Sequence, residues 1–179
     1  MKLFAALLPL AIVLACSSPD HPAKAEPAVN NQQITDRFTT VIWPAIAAYN
    51  ENRNQGAPPS QQYHAVVDPT DSSATAYGPL RDAVWGLGRA GEYESATQTT
   101  HGNDGLTLGH VDVQSVQGDT ATLNVCYTYT HWWYVNIADT QRATAASEAT
   151  VGLVNVDHTW YLHSITDDHV VPGCGDVNS

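Results

Sequence analysis

Val116-Gln117-Gly118-Asp119-Thr120-Ala121-Thr122-Leu123-Asn124-Val125-Cys126-Tyr127-Thr128-Tyr129-Thr130-His131-Trp132-Trp133 decides the fold. From Thr120 the residues alternate with a period of two, the signature of a strand with one face turned to a core. Ala121, Leu123, Val125, Tyr127, Tyr129, His131 and Trp133 share one face; Thr122, Asn124, Cys126, Thr128, Thr130 and Trp132 share the other. The first face is the more apolar and is expected to meet the rest of the core. Gln117-Gly118 is a hairpin turn signal, so the strand Asp119–Val135 folds back on a strand over Leu106–Val116. After a turn at Asn136–Gln141 a third strand covers Arg142–Val156, Asp157-His158-Thr159 turns, and a fourth covers Trp160–Val170. Thr97–Thr100 adds a short strand. The result is an antiparallel meander.

Upstream the period is helical. Ile34, Phe38, Val41, Ile42, Ala45, Ile46 and Tyr49 recur at spacings of three and four, which predicts a helix over Asn30–Asn54. Pro44 lies inside it and is expected to kink or divide it, because proline lacks the amide hydrogen and crowds the preceding turn. Gln55–Ser60 is a loop. Tyr63, Val66 and Val67 suggest a short helix ending near Asp68-Pro69. Pro79 suits the first turn of another, with Leu80, Val84 and Leu87 on one face and a stop at Gly88 or Gly91. Helices first and a meander second give an α+β fold, with the helices packed on one face of a curved, mostly antiparallel sheet.

The chain starts with an export signal. Met1-Lys2 is basic, Leu3–Ala15 is apolar, and Ala15-Cys16-Ser17 follows. Thirteen apolar residues fall short of the roughly 20 a spanning helix needs; their flanks are those of a signal peptide. A cysteine after the small residue resembles the lipobox of bacterial lipoproteins, in which Cys16 becomes the lipid-bearing N-terminus. The expected organisation is a signal peptide over 1–15, a lipidated, flexible tether over 16–33, and one domain over 34–179. This places the protein on the extracytoplasmic face of the cell membrane, held there by its lipid (palmitate among the acyl chains). The formal charge is −11, with Lys2, Lys24 and five arginines as the fixed cations. No Lys/Arg cluster exists to displace counterions, which excludes nucleic acid. With Cys16 lipidated, Cys126 and Cys174 remain as an even pair in an exported protein, and a disulfide is expected between them. The alternatives are a buried thiol pair or a metal site, and the spacing matches no zinc motif.

The C-terminal half resembles the NTF2-like lipoproteins of actinobacteria. The residues that carry the resemblance are Val116–Cys126, then Val154-Asn155-Val156-Asp157-His158-Thr159-Trp160-Tyr161-Leu162, then Pro172-Gly173-Cys174. The resemblance implies a cone: three N-terminal helices around a strongly bent sheet. A glycine usual in the turn before the tryptophan is replaced here by Asp157-His158-Thr159. Asp and His tolerate left-handed geometry better than most residues. The cone hosts isomerases, dehydratases, ligand binders and dimerisation modules, so a function has to come from a site.

Tyr63, Tyr127, Tyr129, His131 and Trp133 are the candidate pocket residues, with a filled core as the plainer reading for the tyrosines. An acid–base site would need a carboxylate base and an oxyanion donor. Asp68 and Asp112 are possible bases, His131 is an alternative, and Tyr63 and Tyr129 are possible donors; no spacing selects among them. His163, Asp167 and His169 fall at even spacings on the last strand, but residues four apart on a strand are about 13 Å apart, so they do not form a metal site without a bend. Neither a metal nor a cofactor is expected. The sequence points to a lipid-anchored binding or interaction module without catalysis, its partner an envelope protein or a small apolar ligand. The alternative is an apolar-ligand carrier, or an enzyme of the SnoaL or ketosteroid-isomerase kind, using the cone cavity.

Overall fold

The computed structural model describes residues 31–52, 60–71 and 78–175. The expected signal peptide, Cys16, most of the tether and residues 55–59 of the first loop lie outside the described residues. Asn31–Gln33, the end of the expected tether, already belong to a helix.

The helical run consists of α1 (Asn31–Arg37), a π-helical turn (Phe38–Ile42) and α2 (Trp43–Asn52). Pro44 does not divide it. The amide of Trp43 reaches back five residues to the carbonyl of Phe38, and this wider turn makes room for the proline ring just inside α2. The extra residue also shifts the phase of the helix. Phe38, Ile42, Trp43, Ile46 and Tyr49 are buried, whereas Val41, expected on the same face, is 37% exposed. Two shorter helices follow. In α3 (Gln61–His64), the Ser60 hydroxyl caps the Tyr63 amide. In α4 (Pro79–Gly86), proline sits in the first turn, and a single 3-10 turn (Leu87–Arg89) follows.

Five strands follow in sequence order and pair antiparallel as one sheet: β1 (Tyr93–Glu94), β2 (Thr99–Gln117), β3 (Thr120–Tyr134), β4 (Gln141–Val156) and β5 (Thr159–Val171). Two tight turns hold the hairpins. Gly118 takes φ +57° between the paired Gln117 and Thr120. In the turn flagged by its missing glycine, Asp157 (φ +49°) and His158 (φ +63°) are both left-handed between Val156 and Thr159, as a type I′ hairpin requires. The β3–β4 ladder is unbroken from Thr120↔Val154 to Trp133↔Gln141. Its neighbours carry the irregularities, three in β2 and two in β5, and bulges on the flanking strands bend the sheet around its straight centre.

The inner face of β3 meets the helices as expected: Ala121, Leu123, Val125, Tyr127 and Tyr129 are buried with Phe38, Ile42, Trp43, Val84 and Leu87. On the outer face Cys126 is joined to Cys174. The tail therefore crosses from β5 to the far side of the sheet. It passes over Gly109, where a Cβ would fall 2.9 Å from that of Cys174. No helix among the described residues is long and apolar enough to cross a membrane.

Candidate functional site

β5 brings the site together through its two bulges. From Trp160 the inward residues run Trp160, Leu162, then Ile165, because His163 is an extra residue against Gly152/Leu153. A second extra residue lies between Thr166↔Thr150 and His169↔Glu148. Asp167 absorbs it with φ +55°. Asp168 is thereby turned to the inner face, where its Oδ1 accepts a 2.6 Å hydrogen bond from the Tyr127 hydroxyl. The same hydroxyl accepts the Gly88 amide at 2.9 Å. Tyr127 is completely buried, so the strand β3, the turn after α4 and the end of β5 are fastened together at one phenol oxygen.

A buried amide pair holds the Gly88 turn in place. Asn50 donates to the carbonyls of Val84 (2.8 Å) and Leu87 (3.2 Å), and Asn103 donates to Leu87 (2.8 Å) and to the Asn50 side chain (3.2 Å). These bonds satisfy carbonyls left open at the end of α4. Gly88 has φ +66°, and a Cβ there would fall 2.3 Å from Asn103 Nδ2; the position accepts no side chain. Arg89 follows, also left-handed at φ +59°.

Between this turn and the β4–β5 edge lies an open cleft of about 470 Å³, walled by Arg89, Gly91 and Glu92 on one side and by Ser147, Asp168 and Val170 on the other. Tyr129 and Ser147 share a hydrogen bond at 3.2 Å beneath it. Arg89 is engaged in an ion pair with Glu92. This hydrogen bond holds the Glu92 carboxyl below the usual range. Burial pushes the Asp168 carboxyl up despite the bond from Tyr127, and burial beside that carboxylate pushes the Tyr127 phenol far up. The cleft thus presents Asp168, a carboxyl with a raised pKa, backed by the buried hydroxyls of Tyr127, Tyr129 and Ser147, with left-handed backbone at Arg89 in one wall and at Asp167 beside the other. Such strain concentrates at ligand sites.

The expected pocket residues separate. Tyr127 and Tyr129 are buried behind Asp168 and Ser147, to which they bond, and do not line the cleft. His131 and Trp133 lie further along β3, ring on ring at 5.0 Å, where the inner face is only half covered. Nε2 of His131 is 3.0 Å from Nδ1 of His101, a neighbour not foreseen. Burial, then Arg89 and His101, holds the His131 pKa below the ordinary value. Tyr63 packs elsewhere, against Tyr49 at 4.2 Å, its hydroxyl unpaired among the described residues. It is no partner for Tyr129.

Of the two candidate bases, Asp112 is exposed on β2 and accepts a bond from Gln114. Asp68 is buried but engaged. Its carboxyl accepts the Thr70 amide (2.8 Å) and hydroxyl (2.6 Å) and Nδ1 of His163 (2.9 Å). Burial raises its pKa, and these bonds together outweigh burial and hold it low. The His163 bulge thus serves this second contact, beside a smaller cleft of about 250 Å³. His169 donates to the Asp167 carbonyl, so His163, Asp167 and His169 do not converge. Among the described residues no three His, Cys, Asp or Glu side chains are grouped to hold a metal.

Asp168, Ser147, Arg89 and the Asn50–Asn103 pair were not singled out from the sequence. The glycine-rich Gly86-Leu87-Gly88-Arg89-Ala90-Gly91 and the polar Thr166-Asp167-Asp168-His169 inside a strand were the signals available. No protein-family model matches the chain, and no curated protein matches it.

Proposed function

We propose that the protein is an exported, lipid-anchored module of the cell envelope, built on an NTF2-like cone, that binds its partner at the surface and performs no catalysis. The observation that supports this most is the filling of the interior. Tyr127 fills the space between the inner face of the sheet and the helices, fastened by its bonds to Asp168 and Gly88, with Trp43 at 5.3 Å. An apolar carrier or cavity enzyme needs an enclosed space there; the open polar cleft beside Asp168 suits surface binding. The export signal and Ala15-Cys16-Ser17 support the anchor.

Two experiments test this reading. Cys16→Ser is expected to release the protein from membranes or block its processing. A variant of mature mass that still sediments with membranes removes the anchor. Native mass spectrometry of the protein purified from its own envelope is expected to show no apolar small molecule in the core. A stoichiometric lipid-like adduct that survives core-preserving conditions would restore the carrier reading.

One observation favours the second reading, a polar-ligand carrier or acid–base enzyme. Asp168 has the raised pKa and the tyrosine partner such a site uses. If Asp168→Asn, folded and at normal abundance, reproduces the phenotype of deleting the gene, this reading replaces the first for the cleft.

A further inference from the structure

We propose that the outer face of the sheet around Trp132 and Tyr134 binds a neutral oligosaccharide; this assignment rests on the reading of the protein as a surface-binding module and names the chemistry of its partner. The site begins with a glycine. Gly102 of β2 lies directly opposite Trp132 of β3. Three atoms of the Trp132 indole fall within 2.5 Å of the place a Gly102 Cβ would take, so the ring is laid across the bare strand at that point. Tyr134, two residues on, shares the face. Its ring is parallel to that of Trp132 within 7°, with the centroids 5.9 Å apart. At that distance neither ring covers the other face to face, because carbon atoms in contact are about 3.5–4.0 Å apart. Both side chains are half-buried and keep part of their surface in water. Tyr93, 61% exposed, stands in the same row as Tyr134, across Thr100.

The border of these rings is polar and without net charge. Arg142 lies opposite Trp132, and Asp104 lies opposite Thr130. The two are ion-paired across β3, and both side chains remain more than half exposed. Thr100, Thr130 and Thr144 add hydroxyls on the same face. A guanidinium donates, a carboxylate accepts and a threonine hydroxyl does both, which matches sugar hydroxyls that also do both. The C–H face of a pyranose ring is flat and apolar, and it packs on an aromatic ring as other apolar surface does. Two neighbouring aromatic rings suit two consecutive sugar residues.

Charge and placement select this occupant. A formal charge of −11 opposes an anionic glycan. A bilayer surface also takes Trp and Tyr, but the anchor enters the fold at the other end. Arg37 donates to the Trp160 carbonyl at the start of β5, and there the Asn155 amide donates to Asp119 in the β2–β3 turn. The chain from Cys16 therefore joins the domain at the Gly118 end of the sheet. Trp132 and Tyr134 lie at the opposite end of β3, whose 15 residues extend about 50 Å along the strand. With the lipid in the membrane, the aromatic end faces away from it.

The probes are cellotriose and tri-N-acetylchitotriose as neutral chains, glucose as a single ring and trigalacturonate as an acidic chain. Each is titrated into the mature lipoprotein in a sugar-free polyoxyethylene detergent and followed by NMR and tryptophan fluorescence. At least one neutral trisaccharide is expected to bind saturably at millimolar concentration and to shift the Trp132 indole and the Tyr134 ring. Glucose is expected to bind about tenfold more weakly or worse, and trigalacturonate is expected to give no saturable shift. Trp132→Ala and Tyr134→Ala are each expected to weaken the trisaccharide about tenfold or more. Trp133→Phe, on the opposite face of β3, is expected to leave binding unchanged.

Failure of both neutral trisaccharides to bind, equal binding of trigalacturonate, or full binding by folded Trp132→Ala and Tyr134→Ala would overturn the assignment. A proline-rich peptide that shifts the same rings where both sugars fail would make this face a protein contact instead. None of these outcomes bears on the Cys16 anchor, which membrane fractionation tests by itself.

Discussion

Replacing Tyr127 with phenylalanine removes one oxygen from the centre of the fold and changes little else in volume. Two bonds go with it. The bond to Asp168 is charge-assisted when the carboxyl is ionised, a class worth about 1.5–3 kcal/mol, taken near the low end because Asp168 borders an open cleft. The Gly88 amide is then left buried without its acceptor, at about 1–3 kcal/mol. The expected cost of Tyr127→Phe at pH 7 is therefore roughly 2–4 kcal/mol. The two parts separate in a double-mutant cycle with Asp168→Ala. In that background the charged bond is already gone and only the orphaned amide remains, so Tyr127→Phe should cost roughly 1–2 kcal/mol less. Urea unfolding with the disulfide intact measures all four proteins, and unchanged denaturant slopes verify that the unfolded states are comparable. Equal costs in both backgrounds, within about 0.5 kcal/mol, would show that the Tyr127–Asp168 contact stabilises nothing. A cost under about 0.5 kcal/mol in the wild-type background would show that the phenol oxygen does not fasten β3 to the Gly88 turn at all.

Three further outcomes are expected. Replacing both Cys126 and Cys174 with alanine opens a loop of 48 residues, which the chain-entropy account values at roughly 4 kcal/mol; a melting temperature unchanged from the wild type under non-reducing conditions would contradict it. His158→Gly relieves a left-handed side-chain position, a strain of about 1–2 kcal/mol partly offset by the greater freedom of glycine when unfolded, so urea unfolding should show a net gain of about 0.5–1 kcal/mol; a loss would mean that the His158 side chain does more than turn the chain. Stability should also depend on pH in opposite senses at the two acids. The lowered Asp68 pKa contributes stability above the ordinary carboxylate range that is lost as pH falls through its folded value. The raised Asp168 pKa contributes stability at low pH that is lost as pH rises through its folded value. Asp68→Asn should therefore flatten the acid limb of a melting-temperature profile while Asp168→Asn raises its neutral limb, and a profile unmoved by both would refute the assignments.

The meander was legible because its signals are local. Gln117-Gly118 sets one turn, Asp157-His158 another, and the period of two in Ala121–Trp133 requires no knowledge of the neighbouring strands. The long helix was legible for the same reason, except where Pro44 is accommodated. A single π turn keeps the helix whole and rotates Val41 out of the face its spacing assigned to it. The candidate site was not legible, and β5 shows why. Counting by twos from Trp160 joins His163 to Asp167 and His169 on one face. The two extra residues at His163 and Asp167 divide that face and bring Ile165 inward in place of Ser164; by Asp168 they cancel, so that Asp168 lies inward in the bulged strand as it does in a straight count from Trp160. Where a strand takes an extra residue depends on how it must bend to stay paired with β4, a property of the sheet and not of the strand's own pattern. Each bulge in β5 carries an ionisable side chain to a partner distant in sequence: His163 to Asp68, and Asp168 to Tyr127. The polar chemistry therefore lies where the periodicity fails. A polar run inside an otherwise apolar strand, such as Thr166-Asp167-Asp168-His169, whose four residues are all exposed, is at once solvated surface and the place where the strand bends.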